Sequence, residues 1–191
     1  MTNSPLLAFT RVLDPTDNVT GGGAASAVAG SMAAALVGMV ARVSVGKKNM
    51  PEPDAFYQAI DAEAQALSLT LLEGSNADSA AFDRVMDAYR LPKATDEEKA
   101  ARTVAIQQAI TGATETPLHN AEGCARALEL AAQLVGRSNI NAASDLECAL
   151  FLATAGLKGA LSNAEINIGS LKDEGVVAAF AKRVAELKAK L

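Results

Sequence analysis

Residues 24–41 read AASAVAGSMAAALVGMVA, eighteen positions without a charged side chain, introduced by Gly21-Gly22-Gly23. Ala, Gly and Ser dominate where a bilayer would demand Leu, Ile and Phe. Asp14 and Asp17 stand upstream where a signal peptide would carry positive charge, so the segment reads as a buried helix rather than a membrane span or leader. Ser26, Gly30, Ala34 and Gly38 recur every four residues and form a ridge of small side chains along which a second backbone can approach closely. Val28, Met32, Leu36, Val37, Met39 and Val40 fill the other faces, so this helix belongs in a bundle core or in a subunit interface.

The composition points the same way. The 191 residues include 41 alanines, no Trp, two Tyr and five Phe, which leaves little of the aromatic and β-branched material that strands favour. The expected fold is therefore all-α, and the length suits one domain spanning residues 1–191. A net charge of -5 argues against a surface that tracks nucleic-acid phosphates. Cys124 and Cys148 are far apart and lack metal-ligand spacing, so neither a disulfide framework nor a zinc site is expected, and a reducing cytoplasm fits.

Outward from the central helix, an amphipathic stretch at 6–13 and a turn-rich linker at 14–20 come before it, and Gly46 closes it. Pro51 and Pro53 lead to a helix over 54–73, opened by Asp54 and ended by Gly74. A separate helix over 78–89 stops at Leu91-Pro92, because proline disfavours helical geometry in the residue before it. Thr95 with Glu98 makes a capping box for a helix to about 114, and Pro117 starts or kinks the next, to about 136. Ser144 with Glu147 repeats the box before a long apolar helix, and an amphipathic helix over 173–190 follows. The sum is an up-and-down bundle of about six main helices.

Several residues could carry chemistry, and each also has an ordinary structural reading. Gly21 to Gly23 expose N–H groups at a helix start, where the dipole favours an anion or an electron-rich atom, but they also suit a plain linker. Gly46-Lys47-Lys48 and Arg90-Leu91-Pro92-Lys93 form two short basic clusters able to gather a polyanionic tail, or simply complement helix C-termini. Asn139, Asn141, Ser144 and Asp145 crowd polar groups before an apolar helix, as caps or as ligand contacts. Asn163 and Asn167 share one face of that helix and need partners, from a ligand edge or a neighbouring helix. Asp78 opens its helix as an N-cap or a functional carboxylate. With His119 as the sole histidine, no catalytic triad or two-histidine metal site can be assembled, and none is expected.

Taken together, these stations resemble the cyclodeaminase/cyclohydrolase family of folate enzymes over nearly the whole chain. The resemblance rests on Gly21-Gly22-Gly23 before the Ala/Gly-rich helix, on Gly46-Lys47-Lys48, and on the run from Ala81-Phe82 through Tyr89-Arg90-Leu91-Pro92-Lys93 to Thr95-Asp96-Glu97-Glu98-Lys99. It continues in Pro117-Leu118, Asn139-Ile140-Asn141, Ser144-Asp145, Asn163 and Ile166-Asn167. Thr20 stands where the family carries proline. The resemblance implies a homodimer built on the small-residue helix, with a tetrahydrofolate derivative, with or without a polyglutamate tail, bound near the subunit interface. It maps the ligand loop onto Gly21, Gly22 and Gly23, tail contacts onto Lys47, Lys48 and Lys93, and polar pocket groups onto Asp78, Asn141, Asp145, Asn163 and Asn167. The implied reaction is hydrolysis of 5,10-methenyltetrahydrofolate to the 10-formyl product, with Asp78 and Asp145 as acid and base and no cofactor beyond the folate itself. The alternatives are cyclisation of formiminotetrahydrofolate with release of ammonia, and a non-catalytic folate-binding helical dimer.

Overall fold

The computed structural model describes residues 7–191 apart from Asn18. The described residues form six α-helices and no strand: α1 (Leu7–Leu13), α2 (Gly22–Arg42), α3 (Asp54–Arg90), α4 (Asp96–Leu134), α5 (Ala143–Ile168) and α6 (Glu174–Lys188), with a 3₁₀ turn at Ile140–Ala142. Helices α2 to α5 run up and down, and α2 lies at the centre against α3, α4 and α5.

The small-residue ridge explains that central place. Ser26, Gly30, Ala34 and Gly38 are all buried and face the bundle. A Cβ on Gly30 would overlap Cys124 Sγ, and one on Gly156 would stand 2.8 Å from the Ser26 carbonyl oxygen, so α2, α4 and α5 meet nearly backbone to backbone. Of the two roles left open for this ridge, it serves the core. The opposite face of α2 is less covered, and Met32 there is 54% exposed. Two stretches, Gly22–Arg42 and Ile140–Ile168, are long and apolar enough to cross a membrane; of an apolar 18-residue window in each, 61% is buried in the bundle in the first and 33% in the second.

Sequence and structure differ at the helix breaks. The expected helices over 54–73 and 78–89 are one helix, α3, and those on either side of Pro117 are one helix, α4. Gly74 continues α3 because Asn120 packs against it, filling the place of its missing Cβ and donating from Nδ2 to the Gly74 carbonyl at 3.3 Å. The Thr95–Glu98 capping box forms as expected. That at Ser144 does not: Ala142 is the N-cap, and the Asn139 side chain instead accepts from the Asn141 N–H as the 3₁₀ turn begins. Asp54 likewise is the first residue of α3, after Pro53 as N-cap, and its carboxylate accepts from the Gly46 N–H at 2.8 Å.

Candidate active site

The N-terminus of α2 faces the middle of α3 and α4 and the last turns of α5, and a cleft of about 250 Å³ opens between them. Gly21, Gly22, Gly23, Asp78, Asn163 and Asn167 line it, with Val19, Phe82, Ala113 and Ile166 completing the wall. Six residues singled out in three separate stretches of sequence thus meet in one place.

Asp78 is the one charged side chain of the lining. It does not open a helix, as its sequence context suggested, but lies inside α3, where its carboxylate meets the first turn of α2. Burial pushes its pKa up to about 6, while the Ala24 N–H offsets part of that rise. A carboxyl that titrates there exchanges protons readily near neutral pH. Gly23 makes the contact possible, since a Cβ at that position would overlap the Asp78 carboxylate. A Cβ on Gly22 would stand 3.2 Å from Asn163 Nδ2, whereas one on Gly21 meets nothing within 4 Å.

The two asparagines play different parts. Asn163 is half-buried and lines the cleft with its amide uncommitted to the protein. Asn167 donates from Nδ2 to the Ala113 carbonyl at 2.7 Å, so it ties α5 to α4 across the floor of the cleft.

A clamp that the sequence reading missed fixes the approach to the glycines. The Asp17 carboxylate accepts from the Val19 and Thr20 N–H groups at 2.8 and 2.9 Å, from Arg11 Nε at 2.6 Å and from the Thr20 hydroxyl at 3.1 Å. Those donors hold its pKa far below the ordinary carboxylate range. The Thr20 hydroxyl also meets Ser79 Oγ at 3.3 Å, which pins the loop to α3 beside Asp78. Hydrogen bonds therefore supply at Thr20 the restraint that a proline ring would give.

The remaining candidates lie elsewhere. Lys47, Lys48 and Asn141 line a second, wider groove of about 680 Å³ at the other end of α2, with Met50, Ile140 and Leu150. Asp145 is half-buried in the first turn of α5 at that same end and lines neither cavity. Along α5 the eighteen-residue step from Asp145 to Asn163 spans about 27 Å, too far for Asp78 and Asp145 of one chain to act on one carbon. Lys93 is exposed in the turn after α3, about 18 Å beyond Asp78 along that helix. Among the described residues no cluster of three or more His, Cys, Asp or Glu could hold a metal.

Comparison with known proteins gives this geometry a context. Residues 5–186 match the family model described as formiminotransferase-cyclodeaminase. The chain is 39% identical, over 97% of its length and 88% of the relative's, to a methenyltetrahydrofolate cyclohydrolase of Methylorubrum extorquens. It is 32% identical, over 91% of its length, to a formimidoyltransferase-cyclodeaminase of Gallus gallus, but spans only 32% of that longer protein. Its fold matches the crystal structure of a formiminotetrahydrofolate cyclodeaminase from Thermotoga maritima with a TM-score of 0.83 and 26% identity, covering 95% of this chain and 87% of that one.

Proposed function

Because the chain belongs to the formiminotransferase-cyclodeaminase family, we propose that it is a folate enzyme, a methenyltetrahydrofolate cyclohydrolase that works at the cleft below the triglycine turn. The observation that carries this reading is the position of Asp78, a carboxyl titrating at about 6, which lines the cleft and packs against the first turn of α2 where Gly23 leaves it space.

The chemistry follows from that position. The methenyl carbon bridging N5 and N10 is cationic, and an ionised Asp78 stabilises it electrostatically. As water adds to that carbon, Asp78 takes one of its protons. The bond from carbon to N5 then breaks as the new hydroxyl loses its proton and N5 gains one, and the balance is a single proton released to solvent. One carboxylate serves both transfers, because the proton it accepts from water is the proton N5 needs. Asn163 and Asn167 suit the polar edge of the pterin. The chain's own groups thus suffice for a reaction without a further cofactor, and we place it in the cytoplasm.

A cleft of about 250 Å³ is smaller than the ~300–1,000 Å³ usual for a drug-sized ligand, so it accommodates the pterin and its one-carbon bridge but not the rest of a folate. We assign the tail to a second subunit. The outward faces of α2 and α5 carry Met32, Phe151 and Ile166 at 54%, 66% and 72% exposure. We propose that two such faces pair about a twofold axis perpendicular to α2, which sets the α2 helices antiparallel and brings the lysine groove of one protomer to the glycine cleft of its partner. In that arrangement Lys47 and Lys48 neutralise a glutamate tail and Asp145 comes back within reach of the reaction.

The decisive assay follows the loss of methenyltetrahydrofolate absorbance against buffer; acceleration supports hydrolysis, and no acceleration at any pH removes it. The family also supports a second activity, closure of formiminotetrahydrofolate with loss of ammonia. Release of ammonia from that substrate, with no action on the methenyl compound, would favour the second activity. Folate binding by calorimetry while both assays stay silent would leave only a binding module.

A further inference from the structure

Pro117 is buried in the middle of α4 and has no evident business there. Inside a helix a proline withholds the N–H that would reach the carbonyl four residues back, and its ring presses on that same carbonyl. Four residues back is Ala113, which lines the cleft, and its oxygen accepts instead from Asn167 Nδ2 at 2.7 Å. A side chain of α5 has taken the place of the missing backbone donor in α4. This also settles which way the Asn167 amide is turned. A carbonyl can only accept, so the NH₂ must face Ala113, and Oδ1, which takes no hydrogen bond from the protein, is left for the cleft.

We infer that Pro117 is a positioning residue of the substrate site: by leaving the Ala113 carbonyl without its helical partner, it locks the Asn167 amide so that an acceptor, not a donor, is presented to the ligand. The chemistry that such an acceptor reads is an N–H or amino edge of a heterocycle, as on a 2-amino-4-oxopyrimidine ring. This inference rests on the proposal that the cleft holds the pterin.

The test compares Pro117→Ala with Asn167→Leu. In Pro117→Ala the new backbone N–H satisfies Ala113, and Asn167 is released to rotate. The expected result is a KM raised about tenfold, the equivalent of one ordinary hydrogen bond, with kcat within about twofold and a Tm no lower than that of the parent. A purely structural proline predicts the reverse pattern, an unchanged KM or a lowered Tm. As a readout independent of activity, the side-chain amide protons of Asn167, followed by ¹⁵N NMR, exchange slowly in the parent and faster in Pro117→Ala. If Pro117→Ala keeps the parental KM and slow amide exchange while Asn167→Leu raises KM, the inference about the proline falls and the cleft reading stands. If neither variant alters KM, the cleft reading falls as well.

Discussion

The two ends of α2 make unlike cavities from the same helices. At its N-terminus the cleft is narrow and holds one carboxylate, two amides and no cation. At its C-terminus the groove is wider and holds Lys47 and Lys48. Twenty-one residues of helix, about 31 Å, separate them. The cleft offers a carboxylate and no cation to a cationic one-carbon ring, and the groove, which Glu147 also lines, offers two lysines to an anionic tail. The contrast suggests that chemistry and tail recognition are divided between the ends, and that copies of the chain must pair for both to act on one molecule.

The largest expected effect tests the chemical end. Asp78→Asn removes the proton carrier and lowers kcat by roughly 10²–10⁴-fold. The same change alters stability in the opposite sense. The Asp78 carboxyl titrates at about 6 in the folded protein against 3.8 unfolded, so the folded state holds the proton more tightly, and stability is fully present below the unfolded value and lost as pH rises through 6. Asn carries no such penalty, so at pH 8 the variant is more stable by on the order of 1–3 kcal/mol, measured by urea denaturation. A loss of both activity and stability would mean that Asp78 is simply a structural group.

The glycines grade the same cleft. Gly23→Ala drives a methyl group into the Asp78 carboxylate and lowers kcat/KM by ~100-fold or more. Gly22→Ala presses on Asn163 and costs less, and Gly21→Ala, with open space beside it, stays within about twofold of the parent. An equal loss at all three positions would point to loop flexibility rather than to the contact with Asp78.

At the other end, Lys47→Ala with Lys48→Ala raises KM for a polyglutamylated substrate by about tenfold, leaves kcat in place, and loses its effect at high salt. A mixed population of this double variant with Asp78→Asn sharpens the comparison. If the two ends meet across a subunit boundary, mixed dimers carry one intact site and regain part of the activity. The smallest effect belongs to Lys93→Ala, whose side chain is exposed well beyond the cleft; a change in KM of under about threefold is expected.

Much of this was legible in the sequence. The small-residue ridge announced a central helix because its period of four is a property of the chain alone. Asn163 and Asn167 could be put on one face, and Gly21 to Gly23 at a helix start, for the same reason. What stayed hidden depends on contacts between helices. Gly74 and Pro117 read as breaks because the side chains that compensate for them, Asn120 and Asn167, lie 46 and 50 positions away in sequence. Asp78 reads as a cap because Gly74, four residues before it, reads as the end of the preceding helix. That Asn141, Asp145, Lys47 and Lys48 lie apart from the glycines within one chain follows from the direction of the helices, since an up-and-down bundle sends the two ends of α2 to opposite poles. The clamp of Asp17 on Thr20 left a trace in the turn-rich linker, but its target, Ser79, did not.

The most direct measurement is the pH dependence of methenyltetrahydrofolate hydrolysis, corrected for buffer, in the parent and in Asp78→Asn. The account predicts a parental rate that rises with pH through about 6 as Asp78 ionises and then levels, and a variant that lacks both the rise and most of the rate. A variant that keeps the parental rate, or keeps a rise centred near the same pH, contradicts it.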